Sequence, residues 1–233
     1  MIEARAPLVL RLLAVPATVA IVLVGLWAAG GLLTNDFALA MLLTVGWLGL
    51  AGLIALAIAV RTRAFRWPVL GAYVVTAVVI GAYLGRSVLM DDVVNEQVAT
   101  AAPAALAPAP TAQSSGQSAP EPGNVLLRTG RFESVRHSAT GDARAIELAE
   151  GGRVLTLTDF DVDNGPDLRV YVVAGPATAE DTVDDFVDLG GLKGNRGNQQ
   201  YEVPADVDLD RYSTVVIWCR AFSVLFARAP LQA

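Results

Sequence analysis

The sequence predicts a membrane protein in which three transmembrane α-helices are followed by an all-β antiparallel sandwich domain. Three observations carry this prediction. Residues 1–90 hold three apolar stretches of membrane-spanning length, residues 100–124 are rich in Ala and Pro, and residues 125–233 alternate short apolar runs with turn residues. We therefore divide the chain into a three-helix region (1–90), an Ala/Pro-rich linker (91–124) and an outer domain (125–233).

The charged residues are divided unevenly along the 233 residues of the chain. Residues 1–90 hold six Arg, no Lys and two acidic residues, whereas residues 91–233 hold 11 basic and 21 acidic residues. An apolar front joined to an acidic back excludes a single soluble enzyme domain. It also excludes a nucleic-acid binder, because an acidic tail repels phosphate and no basic stripe is present. The predicted partner of the front is the lipid bilayer.

Three apolar stretches, at residues 12–33, 37–60 and 67–84, each approach the roughly 20 residues that a helix needs to cross a bilayer. Helices are expected because lipid leaves backbone polar groups to be satisfied internally. The first stretch is longer than the apolar region of a signal peptide, so it is interpreted as a retained helix. No Asp, Glu, Lys or His lies in the middle of a stretch, and a transport pathway is not predicted.

The arginines predict the orientation of these helices. Arg5 and Arg11 precede the first stretch, and Arg61, Arg63 and Arg66 lie between the second and the third. The positive-inside rule places these segments in the cytoplasm. We therefore expect a multi-pass protein of the cell membrane with a cytoplasmic N-terminus and an extracytoplasmic C-terminal domain.

The linker has the composition of a chain that does not form a core. Residues 100–124 are mostly Ala, Pro, Ser, Gln and Gly, with prolines at positions 103, 108, 110, 120 and 122. Such a segment buries too little apolar surface to offset the entropy of ordering it. We expect a semi-rigid tether that holds the outer domain away from the bilayer.

The outer domain shows short strands and no helical period. Strands are predicted at residues 131–136, 143–148, 153–158, 168–173, 183–189, 200–203, 212–219 and 222–227. A hairpin turn is expected at Glu150-Gly151-Gly152. The glycine-rich loop, residues 190–198, lacks the ending of a phosphate-binding loop, and its glycines are expected to adopt positive φ.

Several separate motifs of the outer domain occur together and in a familiar order. They are Gly130-Arg131-Phe132, the run from Asp159 to Leu168, Leu192-Lys193-Gly194-Asn195, Gln200-Tyr201, Val216-Ile217-Trp218-Cys219 and Phe222-Ser223-Val224. This set resembles the DM-thirteen domain, the "electron transfer" domain family. The similarity covers essentially the whole outer domain and none of the helical region.

The resemblance implies a β-rich fold and a redox role, with Cys219 at the position of the family's cysteine. Members of the family occur beside DOMON and cytochrome b-type domains, and this chain has neither. Its helices contain no histidine, so they cannot hold haem by two histidines. The electron donor and acceptor are then unknown membrane or extracytoplasmic redox proteins.

Cys219 is the only cysteine of the chain, so an intramolecular disulfide is excluded. A lone thiol can exchange electrons through an intermolecular disulfide, through oxidation to sulfenic acid or as a metal ligand. Strand alternation, however, places Cys219 on one face with Val215 and Ile217. A buried free cysteine usually acts as a small apolar residue, and this alternative stays open.

Trp218 and His137 are weaker candidates. Trp218 could relay an electron or simply pack in the core, and core packing is favoured. His137 could bind a metal with Cys219, but a blue-copper site needs two histidines and the chain has one. The covalent haem motif Cys-x-x-Cys-His is also absent from the sequence.

An acidic run suggests calcium as a cofactor, because clustered carboxylates suit hard cations. The candidate ligands are Asp159, Asp161, Asp163 and Asp167. The run does not fit an EF-hand loop, since its sixth position is Asn164 and its twelfth is Val170. A different calcium-binding turn and a plain Asx turn both remain open.

These observations predict a membrane-anchored extracytoplasmic domain with a redox or electron-transfer role through Cys219. No substrate turnover is expected from this chain alone. The alternative is a non-enzymatic binding or adhesion module of the envelope, which would use the acidic loops around Asp161 and Asp185 and possess a calcium dependence.

Overall fold

The computed structural model describes residues 7–34, 36–101, 123–176 and 183–233. The chain divides into two compact units. The first consists of the residues up to Leu89 together with Ala221–Val224, and the second consists of Met90–Arg220 and Leu225–Ala233. Residues 102–122, which make up most of the predicted linker, lie outside the described residues.

Three long helices form the first unit: α1 is Leu8–Gly31, α2 is Phe37–Arg61 and α3 is Arg66–Leu89. Each is long and apolar enough to cross a membrane, as the sequence predicted. Asp36 caps α2, because its carboxylate accepts a hydrogen bond from the Leu39 amide at 2.8 Å. The short turns between the helices make neighbours antiparallel, so the start of α1, the end of α2 and the start of α3 share one end of the bundle.

The three helices are joined by apolar packing and by two side-chain hydrogen bonds. Val22, Ala51 and Ile80 form a buried cluster with one residue from each helix. The Trp47 indole N–H donates to the Val22 carbonyl at 3.1 Å, and the Tyr73 hydroxyl donates to a carbonyl of α2 at 2.7 Å. Both aromatic side chains thus bury a ring and satisfy their polar atom within the bundle.

The second unit consists of two five-stranded sheets. The strands are β1 (Val93–Asn95), β2 (Val125–Arg131), β3 (Glu133–Ser134), β4 (Ala139–Glu147), β5 (Arg153–Val162), β6 (Leu168–Val173), β7 (Phe186–Gly191), β8 (Arg196–Val203), β9 (Thr214–Cys219) and β10 (Val224–Pro230). The first sheet has the order β1-β8-β5-β4-β2 and the second has the order β3-β10-β9-β6-β7. Both sheets bury apolar side chains, among them Leu155 and Leu157 from the first and Ile217 and Phe226 from the second. The predicted β-rich fold is confirmed.

Individual strands agree with the prediction to different degrees. β6 has the predicted bounds, and the predicted hairpin joins β4 to β5, with Gly151 and Gly152 at φ values of 96° and 89°. The predicted strand at 131–136 is confirmed only in part: Arg131 is the last residue of β2, and only Glu133 and Ser134 form β3. Polar residues such as Arg128 in the second half of β2 hide its alternation.

The strand β1 was not predicted at all. Val93–Asn95 pairs in parallel with the start of β8, so the first sheet is mixed rather than purely antiparallel. Three residues are too few for an alternating pattern to show in the sequence. The partner strand also lies far along the chain, beyond the reach of any local pattern.

Two glycines of the glycine-rich loop leave room for β1. A side chain at Gly194 would overlap the carbonyl of Asp92, and one at Gly197 would overlap the carbonyl of Val94. Gly197 has a φ of 99° and Gly190 a φ of 126°, which confirms the predicted positive φ at these two positions. The loop therefore serves close backbone approach as well as turning.

The segment predicted as a tether begins and ends on the second unit. Residues 91–101, which precede the segment 102–122, contain β1. After that segment, the side-chain amide of Asn124 donates to the Thr100 carbonyl at 3.0 Å. Only residues 90–92 separate α3 from β1. The Ala/Pro composition indicated a segment without a core, but composition does not show where its two ends attach.

Candidate functional site

Cys219 is the last residue of β9, and its register partner across the second sheet is Leu168 of β6. The preceding residues on the same face of β9 are Val215 and Ile217, and all three side chains have no exposed area. The burial that strand alternation predicted for Cys219 is confirmed. A reagent or a partner thiol therefore has to displace core side chains to reach the sulfur.

An ion pair ties the two strands together beside the thiol. The Arg220 guanidinium lies 2.8 Å from the Asp167 carboxylate, and the Arg220 amide donates to the Asp167 carbonyl at 2.9 Å. Asp167 holds the pKa of Arg220 above its usual value. Because Arg220 follows Cys219 and Asp167 precedes Leu168, both strands are fixed at the level of the sulfur.

Trp218 lies on the opposite face of β9. It is partly buried and packs against four buried residues, which are Tyr171, Val173, Val216 and Leu225. Tyr171 in turn stacks on Phe186, with ring centroids 4.3 Å apart. Burial is the main cause that raises the pKa of Tyr171. The core packing predicted for Trp218 is what the structure shows.

His137 lies between β3 and β4, stacked on Phe226 with ring centroids 3.7 Å apart. Its Nδ1 is 3.5 Å from a carboxylate oxygen of Asp163. Burial lowers the pKa of His137, and the nearby Asp163 only partly opposes this shift. Burial therefore favours the neutral form of the imidazole.

Three of the four aspartates proposed as calcium ligands have separate protein partners. These are Arg196 at 3.2 Å from Asp161, the Ser138 amide at 2.9 Å from Asp163, and Arg220 at 2.8 Å from Asp167. Asp159 has a φ of 49°, and its amide donates to the Asn198 side chain at 2.9 Å. Because Ser138 lies 25 positions from Asp163 in the chain, this bond is a long-range contact and not the bond of a local Asx turn.

No group of three or more His, Cys, Asp or Glu side chains that could hold a metal ion occurs among the described residues. Within the described chain, the four aspartates do not converge on a common point, and His137 and Cys219 do not belong to such a group. Calcium binding stays a prediction, and its ligands would have to leave their present partners.

A second run of aspartates, consisting of Asp181, Asp184, Asp185 and Asp188, contains the acidic loop around Asp185, and two of its members form pairs at the surface. Asp185 accepts hydrogen bonds from Arg211 at 2.6 Å and from the Tyr212 hydroxyl at 2.9 Å. Asp188 pairs with Arg169 at 2.8 Å. Asp181 lies outside the described residues. This run thus carries ion pairs, and the hydrogen bond from Arg211 lowers the pKa of Asp185.

Sequence reasoning missed a buried polar network around Gln199, whose side chain has no exposed area. Its amide oxygen accepts from the backbone amides of Lys193 and Gly194 at 3.1 and 3.3 Å and from the Tyr201 hydroxyl at 2.8 Å. Its amide nitrogen donates to the Gly194 carbonyl at 2.8 Å. Burial raises the pKa of Tyr201 to about 12, so this hydroxyl stays neutral.

The same loop holds the segment 91–101 in place. Glu96 accepts from the Lys193 ammonium at 2.7 Å and from the Gln200 amide at 2.9 Å. The Asn195 side chain accepts from the Asp92 amide at 2.7 Å and donates to the Asp91 carboxylate at 3.0 Å. We call these contacts, together with β1, the clamp. In the sequence, the residues of the clamp are isolated polar residues whose partners lie about 100 positions away, so no local pattern indicates the clamp.

Three surface grooves of about 430, 420 and 380 Å³ lie on the second unit. Two of them share Arg131, Phe132 and Asp142, where the Phe132 and Phe160 rings meet edge to face at 4.9 Å. Cys219 lines none of the three.

Comparison with protein-family models yields a match to the outer domain. Residues 131–231 match the family model described as Electron transfer DM13, which spans most of the outer domain. Neither the search of curated proteins nor the search of solved structures returned a match. The region from Arg131 to Leu231 is therefore similar to the Electron transfer DM13 family, and the resemblance predicted from its motifs is confirmed.

Proposed function

We propose that this chain is a membrane-anchored electron-transfer protein whose outer domain exchanges electrons with a redox protein in the membrane or outside the cytoplasm. The observation that carries the proposal is the match of residues 131–231 to the Electron transfer DM13 family. The three helices, each long and apolar enough to span a bilayer, support the anchoring part.

The proposed topology follows from the arginines of the helical unit. Arg61 ends α2, Arg66 begins α3, and Arg63 lies in the turn between them. Arg11 lies in the first turns of α1, at the same end of the bundle. The positive-inside rule puts this end in the cytoplasm, which puts the end of α3 and the whole second unit on the other side.

We propose Cys219 as the group that exchanges the electron. In this step the thiol gives one electron to the acceptor protein and one proton to water and becomes a thiyl radical, and one electron from the donor protein with one proton from water restores the thiol. Disulfide exchange and reaction with peroxide both require a reagent to reach the sulfur. Because Cys219 is buried, electron transfer through the surrounding protein is favoured over these reactions. The tied strands at Arg220 and Asp167 support a thiol held in a fixed position.

Oxidation of the purified full chain in detergent tests this proposal. One-electron oxidants of increasing potential, from ferricyanide to hexachloroiridate(IV), are added, and the electrons withdrawn per chain are counted from the reduced oxidant. We expect the wild-type chain to release about one electron more than Cys219→Ala. The alanine variant removes only the sulfur and buries no new polar atom.

Val216→Ala is the matched control, since Val216 is a fully buried neighbour on the other face of β9. It loses packing as Cys219→Ala does but keeps the thiol. If Cys219→Ala and the wild-type chain release the same number of electrons at the same potential, the cysteine mechanism is wrong. If no oxidant withdraws electrons from the wild-type chain, the electron-transfer role itself is contradicted.

One observation favours the second candidate, a binding or adhesion module without redox chemistry. Cys219 has no exposed area and lies on a face with fully buried apolar residues, which is the setting of a structural cysteine. In that case the exposed acidic loops around Asp161 and Asp185 would contact the partner. The control experiment above separates the two, because a binding module releases no cysteine-dependent electron.

A further inference from the structure

We infer that the arginine-rich end of the helix bundle binds the phosphate headgroup of an anionic phospholipid. The arginine cluster consists of Arg11, Arg61, Arg63 and Arg66. This inference rests on the membrane placement proposed above and assigns a ligand to one end of the helical unit.

The bundle brings Arg11 to the same end as Arg61, Arg63 and Arg66, although Arg11 lies 50 positions before Arg61 in the sequence. α1 begins at Leu8, α2 ends at Arg61 and α3 begins at Arg66, and the three helices pack against one another. Arg11 follows the start of α1 by less than one turn, and Arg63 lies in the turn between α2 and α3. Each helix thus contributes to the cluster.

Protein carboxylates do not neutralise this cluster within the described part of the unit. The acidic residue between positions 7 and 89 is Asp36, and it caps α2 at the opposite end of the bundle. The Nε of Arg11 is buried and has no acceptor among the described residues. Arg61, Arg63 and Arg66 are exposed. An uncompensated buried donor and three exposed guanidinium groups together favour an external anion.

The surroundings of the cluster fit a lipid better than a free phosphate. Apolar side chains with large exposed fractions flank the arginines, namely Leu8 (70%), Leu12 (63%), Val60 (75%) and Trp67 (76%). The Arg66 guanidinium also lies over the Trp67 ring, 5.7 Å from its centroid. A phospholipid supplies a phosphodiester for the guanidinium groups and acyl chains for the apolar side chains, whereas a free phosphate supplies only the first.

The test uses the full chain reconstituted in bilayers of equal parts phosphatidylcholine and phosphatidylglycerol. Lipids that stay bound after detergent extraction are counted by mass spectrometry of the intact complex. We expect phosphatidylglycerol to be enriched over phosphatidylcholine, and Arg11→Gln to lower that enrichment about fivefold. Arg86→Gln, near the opposite end of α3, is the matched control and is expected to keep the enrichment.

Arg61→Gln/Arg63→Gln changes only exposed side chains, so it tests the cluster even if Arg11→Gln disturbs folding. Equal binding of the two lipids to the wild-type chain, or enrichment that survives both sets of substitutions, overturns the inference. Complete displacement of the lipid by an equal concentration of soluble glycerophosphoglycerol also overturns it, because the ligand is then the free headgroup. A chain that does not insert in the bilayers contradicts the proposed membrane anchoring instead, which keeps the two failures apart.

Discussion

Two regions of the second unit are equally buried and chemically opposite. Around Cys219, the neighbours on the same face of β9 are apolar and have no exposed area. Around Gln199, which has no exposed area either, the buried atoms are polar and hydrogen-bonded to one another. Loss of a side chain costs packing in the first region, whereas in the second it leaves several polar groups without partners.

The family motifs pass through both regions, since Leu192–Asn195 belongs to the clamp and Val216–Cys219 belongs to β9. A motif alone therefore does not separate chemistry from architecture. Burial and hydrogen bonding in the structure separate the two. The motif Leu192–Asn195 holds β1 through hydrogen bonds, and the motif Val216–Cys219 is apolar and contains the one thiol. Five measurements can break or sharpen this comparison, and the first and the last address the thiol itself.

The largest expected effect concerns access to Cys219. The rate of its reaction with a small thiol reagent, such as iodoacetamide, is measured in the folded full chain and in the chain unfolded in urea. Because the sulfur has no exposed area, we expect the folded chain to react about a thousandfold more slowly, in proportion to the population of opened states. Equal rates would show that the thiol is accessible in the folded chain. The region around Cys219 would then not be a closed apolar core, and its comparison with the region around Gln199 would fail.

The next effect breaks the clamp through Gly197→Ala. The new methyl group would overlap the Val94 carbonyl, and the φ of 99° is one that alanine rarely adopts. We expect a loss of about 3 kcal/mol in the free energy of unfolding and faster hydrogen exchange across residues 91–101. Urea unfolding and exchange measured by mass spectrometry check the two effects.

Gly190→Ala provides the matched control for this clash. Gly190 also has a positive φ, at 126°, but a methyl group there meets no atom within 4 Å. It therefore reports backbone strain alone, and it is expected to destabilise by about half as much and to leave exchange in 91–101 unchanged. Equal effects of the two substitutions would mean that β1 does not press on the loop.

The sequence was sufficient for the parts of the fold that are encoded locally. Helices of bilayer length, the β6 strand and the hairpin at Gly151 and Gly152 depend on composition and on short-range patterns. The burial of Cys219 also followed from alternation within one strand. These features were predicted because the residues that decide them are neighbours in the chain.

The clamp could not be predicted from the sequence, because the residues that contact one another in it are far apart in the chain. Glu96 meets Lys193 and Gln200, and the glycine at 197 is needed only because Val94 lies against it. The separate partners of Asp161 and Asp167 also came from distant strands, so the acidic run looked like a cation site in the sequence. Long-range pairing, rather than local propensity, decides each of these cases.

A smaller effect is expected from acid. The Lys193 ammonium, aided by the Gln200 amide, holds the pKa of Glu96 below its usual value of 4.5. A lowered folded pKa means that the stabilisation is complete above pH 4.5 and is lost as the pH falls through the folded value. As the pH is lowered below 4.5, we expect the thermal midpoint to decrease less steeply in Glu96→Gln than in the wild-type chain. Glu150→Gln, in the exposed hairpin turn, should retain the wild-type slope; a Glu96→Gln chain with that slope as well would contradict the role given to this carboxylate.

The smallest effect is expected from calcium, which tests the acidic run from Asp159 to Asp167. This run has one ion pair to β8 and one beside the thiol. Asp161 pairs with Arg196 of the clamp strand, and Asp167 pairs with Arg220 beside the thiol. Since calcium has to displace these arginines, we expect the thermal midpoints in calcium and in chelator to differ by less than about 1 °C. A rise of several degrees that Asp161→Asn abolishes would favour the binding-module alternative.

The most direct measurement of the account asks whether Cys219 is the group that loses the electron. The folded full chain is treated with the one-electron oxidant, the oxidant is removed, and the chain is unfolded and titrated for free thiol. The account predicts that the free thiol is lost in proportion to the electrons withdrawn, although the folded chain resists alkylation. A full complement of free thiol after oxidation would contradict it and would leave Cys219 as a core residue of the second sheet.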